Sequence, residues 1–126
     1  DRAVVRVQMP LVAGTRSVPE PDVAVVPGRE SDYDRAHPTA ALLVIEVADT
    51  TLVQDRLTKM AIYAAAGVPE AWLVNLRDDR IEVYRDPDPP SRAYRSRRIA
   101  SRGEYLAPAA FPDCAIAVDA LLPVRE

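Results

Sequence analysis

Two carboxylates stand where hydrophobic strands would not want them. Asp22 opens the apolar run DVAVV, and Glu46 interrupts the end of ALLVIEV. A charged group in or beside a buried strand is costly unless it is paired, bound to metal or placed at the strand end. If the two strands are antiparallel neighbours, the start of one lies beside the end of the next. Asp22 and Glu46 then approach each other. Adjacent carboxylates repel unless a proton or cation lies between them. An oxygen-rich site of that kind suits Mg²⁺ or Mn²⁺, which take one or two carboxylates plus waters and phosphate oxygens. Each acid alone also has a plainer reading. Asp22 follows Pro21 and serves equally as a strand-entry turn residue, and Glu46 could pair with an arginine at a strand end.

A third element comes from Asp55 and Lys59, four residues apart and on one face if the segment is helical. Of the 16 basic residues, Lys59 is the single lysine and the rest are arginine. The abundance of Arg, Ala, Val and Pro suggests a GC-rich coding bias, under which a retained lysine marks a position where arginine would not serve. A lysine beside an acid pair can hold a phosphate, or orient and deprotonate an attacking water. The plainer reading is a surface helix pair worth about 0.2–0.5 kcal/mol.

The elements that must position these groups follow from hydrophobic periodicity. Residues 3–9 are valine-rich and favour a strand. Residues 22–26 form a short, near-continuous apolar strand of the kind buried on both faces. Residues 27–40 read as a loop, and residues 41–47 as a central strand. Thr51 and Gln54 have the spacing of a capping box. Val53, Leu57, Met60, Ala61 and Ala64 then form one apolar helical face, ended by Gly67 and Pro69. Residues 71–76 and 80–85 predict a hairpin, residues 86–91 (DPDPPS) a rigid loop, residues 93–100 another strand, and AIAVDALL a strand with a helical turn. The order β–β–β–α–β–β–β predicts an α/β or α+β fold, a sheet with one long helix packed on it.

Composition narrows the class. The chain has 126 residues, a net charge of −3 and 48% hydrophobic residues. That fits one domain, residues 1–126, with a core of its own. No apolar run approaches the roughly 20 residues of a membrane span. A mildly acidic protein is not a polycation built to coat nucleic acid. The single cysteine, Cys114, excludes an intrachain disulfide and fits a reducing cytoplasm. Its Pro-rich surroundings point to a buried structural thiol. With His37 the only histidine and no cysteine cluster, the sequence argues against a His/Cys zinc site.

The stretches PEPDVAVV, LLVIEVADTTLVQDRLTKMAIYAAAGVPEAWLVNL and RIEVYR closely resemble the Uma-two family over roughly residues 4–122. Its members are described as restriction-endonuclease-like proteins with the PD-(D/E)XK nuclease fold. The resemblance implies a mixed sheet flanked by helices, with a Mg²⁺ or Mn²⁺ site at strand ends and hydrolysis of DNA phosphodiester bonds. Asp22 matches the Asp of the PD motif, and Glu46 the second acid. The standard motif has lysine two residues after that acid, where this chain has Ala48. In the family the lysine comes from the next helix, and Lys59 matches it. Asp55 matches a further helix acid. Ala71 replaces the usual aromatic before Trp72, and Asn75 the usual acid near the end of that strand. Family members carry sequence upstream, including a helix, so the chain is expected to be N-terminally truncated. The rival expectation is a nuclease fold without catalysis, kept for binding nucleic acid or protein.

Outside this block, SRAYRSRRIASR groups Arg95, Arg97 and Arg98 around Tyr94. These suit contact with a DNA backbone, or a solvated edge strand protected from aggregation by charge. Trp72 and Tyr84 read as core residues. A homodimer is consistent with cutting both strands of a duplex.

Overall fold

The computed structural model describes residues 3–7, 9, 11, 13, 19–49 and 53–124. Six strands form one mixed sheet in chain order: β1 (Ala3–Val7), β2 (Val23–Pro27), β3 (Leu43–Ala48), β4 (Glu70–Asn75), β5 (Arg80–Asp88) and β6 (Ala93–Ala100). Only β3 and β4 are parallel neighbours. A parallel pair needs a crossover, and helix α1 (Val53–Ala65) provides it. Beyond β6 a two-stranded ribbon joins β7 (Tyr105–Leu106) to β8 (Ile116–Ala117), followed by the short helix α2 (Val118–Leu121). The α+β fold expected from the sequence is the fold observed. Among the described residues no helix is long and apolar enough to cross a membrane.

The sheet has a core on each face. On one, Met60, Tyr63 and Ala64 of α1 pack on the strands that carry Ala24, Val26, Val44 and Ala71. On the other, Leu43, Trp72, Val74, Ile81 and Val83 are covered by Leu106, Val118 and Leu122 of the C-terminal segment. Side chains alternate along a strand, so Val44 faces the helix, Leu43 faces the ribbon, and Glu46 shares the side of Val44.

The end of α1 is fixed by Gly67, whose φ of +77° is the left-handed conformation that favours glycine. The Gly67 N–H donates to the Ala64 carbonyl at 3.1 Å and the Val68 N–H to the Tyr63 carbonyl at 3.0 Å. This is the Schellman closure, which satisfies carbonyls left open at a helix end.

Several expectations change. Residues 22–26 are not buried evenly: Ala24 and Val26 are buried, while Val23 and Val25 are half-buried. The apolar stripe on α1 is displaced, since Leu57 is exposed and Tyr63 is fully buried. Thr51 of the expected capping box lies outside the described residues. Residues 86–88 are not a loop: β5 continues to Asp88, with Pro87 opposite Tyr94. At the other edge β4 pairs only as far as Arg85, so Pro87 faces no strand there that needs its missing N–H. Cys114 is exposed, because residues 109–115 run over the surface through two turns. The ribbon strand β7 is two residues long, too short to show a period.

Candidate active site

Strand register brings the two acids together. In the β2–β3 pair Val23 lies opposite Ile45 and Ala24 opposite Val44, and one further step sets Asp22 opposite Glu46. Asp22 and Glu46 both lie on the helix side. Asp22 is tied down by its own neighbour strand: the Val47 N–H donates to Asp22 Oδ2 at 2.7 Å.

Glu46 is fully buried under α1. Its Oε2 accepts a bond of 2.5 Å from the Tyr63 hydroxyl. Its Oε1 makes no hydrogen bond. Two cations face that oxygen instead, Arg56 Nη1 at 3.3 Å and Lys59 Nζ at 3.6 Å. Burial pushes the Glu46 carboxyl above the usual carboxylate range, an effect opposed by the Tyr63 bond and the two cations and reinforced by Asp22. Burial and the same bond push the Tyr63 phenol up, so it stays a donor.

The helix supplies these partners at its own period. Arg56, Lys59 and Tyr63 are spaced i, i+3 and i+7, which puts them on one face. Arg56 reaches further than Glu46. Its Nε donates to the Val47 carbonyl at 3.0 Å, and its Nη2 lies 3.8 Å from Asp22 Oδ2. Lys59 Nζ also donates to the Glu20 carbonyl at 3.4 Å. Asp55, one position before Arg56, is exposed and forms no ion pair with Lys59 among the described residues.

The arginines of β6 are elsewhere. Strand β6 is three strands beyond β3, about 14 Å at the usual strand spacing. Arg95 pairs with Asp86 and Asp88, and Arg97 with Glu82. Arg98 is exposed.

A model of the Uma2 family, described as "Putative restriction endonuclease", matches residues 1–119. The chain belongs to the Uma2 family. Among solved structures it resembles a "putative nuclease belonging to DUF820" from Anabaena variabilis, at TM-score 0.74 and 17% identity, over 95% of this chain and 68% of that one. This likeness shows the fold. No curated protein matches the chain.

Within this Uma2-family chain, Asp22, Glu46 and Lys59 form one cluster, and Asp55 stands outside it. Ala48, at the position of the standard motif lysine, is buried, and the amine that reaches Glu46 comes from α1. The donor set fits a divalent ion that retains water. Among the described residues no group of three His, Cys, Asp or Glu side chains could hold a metal. Two carboxylates and the Val47 carbonyl remain, an all-oxygen set of the kind Mg²⁺ accepts with waters completing its shell. Glu46 Oε1, which accepts no hydrogen bond but faces Arg56 and Lys59, belongs to that set.

Sequence reasoning missed Arg56 and Tyr63 as site residues. Their signal was the helical period counted from Lys59. It also missed two buried carboxylates with structural work. Glu70 accepts from Trp72 Nε1 and Arg85 Nε, both at 2.8 Å, and from the Ala109 N–H at 2.7 Å, anchoring the C-terminal segment. Glu82 accepts from Asn75 Nδ2 at 3.0 Å, Arg80 Nη2 at 3.1 Å and the Tyr84 hydroxyl at 2.6 Å. Trp72 is fully buried, as a core residue should be.

Proposed function

We propose that this Uma2 domain is a metal-dependent endonuclease that hydrolyses DNA phosphodiester bonds. The observation that carries the reading is Glu46: a fully buried carboxylate, one oxygen without a hydrogen bond, beside Asp22 and a lysine. Asp22 and Glu46 would hold Mg²⁺ or Mn²⁺, with the Val47 carbonyl as third oxygen. When bound, such an ion lowers the pKa of a water nucleophile and offsets charge developing on the phosphate. Tyr63 orients Glu46 by its hydrogen bond. Lys59 orients the attacking water or neutralises the transition state from its place 3.6 Å from Glu46 Oε1.

DNA is the proposed partner, with Arg95, Arg97 and Arg98 as backbone contacts: Arg95 and Arg97 if their ion pairs yield to phosphate, and Arg98, opposite Val83, on the sheet face away from the acids. The exposed free thiol of Cys114 fits the reducing cytoplasm, where we place the reaction. Two copies acting as a homodimer would serve the two strands of a duplex. One observation favours the rival reading, a nuclease fold kept for binding without catalysis: Arg56 already lies against both acids.

The test is nicking of supercoiled DNA with and without Mg²⁺, for wild type, Asp22→Ala and Lys59→Ala. The expected result is cleavage that needs Mg²⁺ and falls by a factor of about 10²–10⁴ in the Lys59 variant. Equal nicking by all three proteins would overturn the reading.

A further inference from the structure

Arg56 reaches one oxygen of each of the three groups that the proposed metal site has to offer. Its guanidinium lies 3.3 Å from Glu46 Oε1 and 3.8 Å from Asp22 Oδ2, and its Nε bonds the Val47 carbonyl at 3.0 Å. Lys59 touches only one of the three. The charge at the cluster is already balanced, two carboxylates against two cations. A divalent ion added to that set, with both cations in place, would leave an excess of positive charge in a partly buried site, where repulsion is strong.

The contacts of Arg56 are also of a kind that can be released. Only the bond to Val47 meets hydrogen-bond geometry, and Glu46 Oε1 is left without one despite the nearby guanidinium. The Arg56 side chain is 20% exposed, so it stands at the solvent boundary on a flexible stem. Glu46, in contrast, is held from below by Tyr63 and cannot follow it outward.

We propose that Arg56 is a built-in counter-cation that occupies the seat of the divalent ion and competes with it, so that metal enters only as the guanidinium leaves. This rests on the metal-site reading of Asp22 and Glu46. It makes Arg56 a residue that lowers metal affinity from outside the motif acids Asp22 and Glu46. It also gives the fully buried Glu46 and the partly exposed Asp22 a counter-charge supplied by the fold itself.

The experiment is calorimetric titration of Mn²⁺ into wild type, Arg56→Gln, Glu46→Gln and the Arg56→Gln/Glu46→Gln double variant. Urea unfolding is measured on each to establish that it is folded. Arg56→Gln should bind Mn²⁺ at least about tenfold more tightly than wild type, since it removes a neighbouring positive charge. Binding by Arg56→Gln alone, with none by wild type, supports the proposal equally. If wild type and Arg56→Gln bind with equal affinity, and Glu46→Gln abolishes both, the metal site stands and the competition is overturned. If neither binds, both readings fall together. A second measurement needs no variant. In ¹⁵N spectra of wild type, saturating Mg²⁺ should shift the Arg56 Nε–H resonance as its bond to Val47 breaks. An unmoved resonance in protein that has bound Mg²⁺ overturns the proposal.

Discussion

Replacing Tyr63 by Phe isolates the bond that orients Glu46. The ring stays, so the core beneath α1 keeps its volume, and only the hydroxyl is lost. That hydroxyl supplies the hydrogen bond to Glu46 Oε2, at 2.5 Å, while Oε1 has none. Glu46 is fully buried, so water cannot replace the donor without opening the helix from the sheet. A hydrogen bond to a charged group contributes about 1.5–3 kcal/mol, against about 0.5–1.5 for a neutral one. Tyr94 provides the neutral comparison within the same protein, because its hydroxyl donates to the Val68 carbonyl at 2.7 Å. At pH 8, Tyr63→Phe should therefore cost about 2–3 kcal/mol and Tyr94→Phe about 1 kcal/mol. With a urea slope near 2 kcal/mol/M, the Tyr63 midpoint falls by about 1 M. The assay is equilibrium urea unfolding followed by Trp72 fluorescence. Combining Tyr63→Phe with Glu46→Gln should cost less than the two single losses added, since the residues share one interaction. A Tyr63→Phe midpoint within about 0.2 M of wild type, or a smaller loss than Tyr94→Phe, would refute the idea that Tyr63 holds the carboxylate.

Other consequences are accessible to the same methods. Burial alone would raise the Glu82 pKa, but bonds from Tyr84, Asn75, Arg80 and Arg97 together bring it below the usual carboxylate range. A carboxyl depressed on folding contributes stability that is fully present above its unfolded pKa and is lost as pH falls through the folded value. Glu82→Gln should therefore cost about 3 kcal/mol at neutral pH, as expected when one partner of a buried ion network is removed. The variant should also lose less stability than wild type below pH 4, as urea midpoints across pH would show. Burial and the Glu82 bond push the Tyr84 phenol up to about 12, so alkaline titration at 295 nm should show this tyrosine ionising late. At Gly67 an added Cβ would meet no atom within 4 Å, so Gly67→Ala should cost only the strain of its positive φ. That cost is about 1–2 kcal/mol, visible as a lower thermal midpoint. Trp72→Ala should remove about 3–5 kcal/mol, the loss expected from a large cavity in the ribbon-side core.

The approach of Asp22 to Glu46 was legible in the sequence because it needs only two local facts. Consecutive short strands tend to pair, and side chains alternate, so acids at the start of one strand and the end of the next share a side. Lys59 was legible because it is the only lysine. Arg56 was hidden by abundance, one arginine among many, although it lies three residues before Lys59 on the same helical face. Tyr63 was hidden by its chemistry, since an aromatic in an apolar helix reads as core, and its ring is indeed core. Glu70 and Glu82 could not be read at all. Their partners include Ala109 and Arg97, brought near only by the folded sheet and the returning C-terminal segment. The continuation of β5 through Pro87 was masked by proline, and became allowed only because β4 ends before reaching it.

Asp22 and Glu46 are proposed to share a divalent cation. Crystals soaked in Mn²⁺ and recorded for anomalous scattering test it most directly. The expected result is a peak bounded by the two carboxylates and the Val47 carbonyl, with the Arg56 side chain moved away from them. Saturating Mn²⁺ with no peak there, and Arg56 still against both acids, would contradict it.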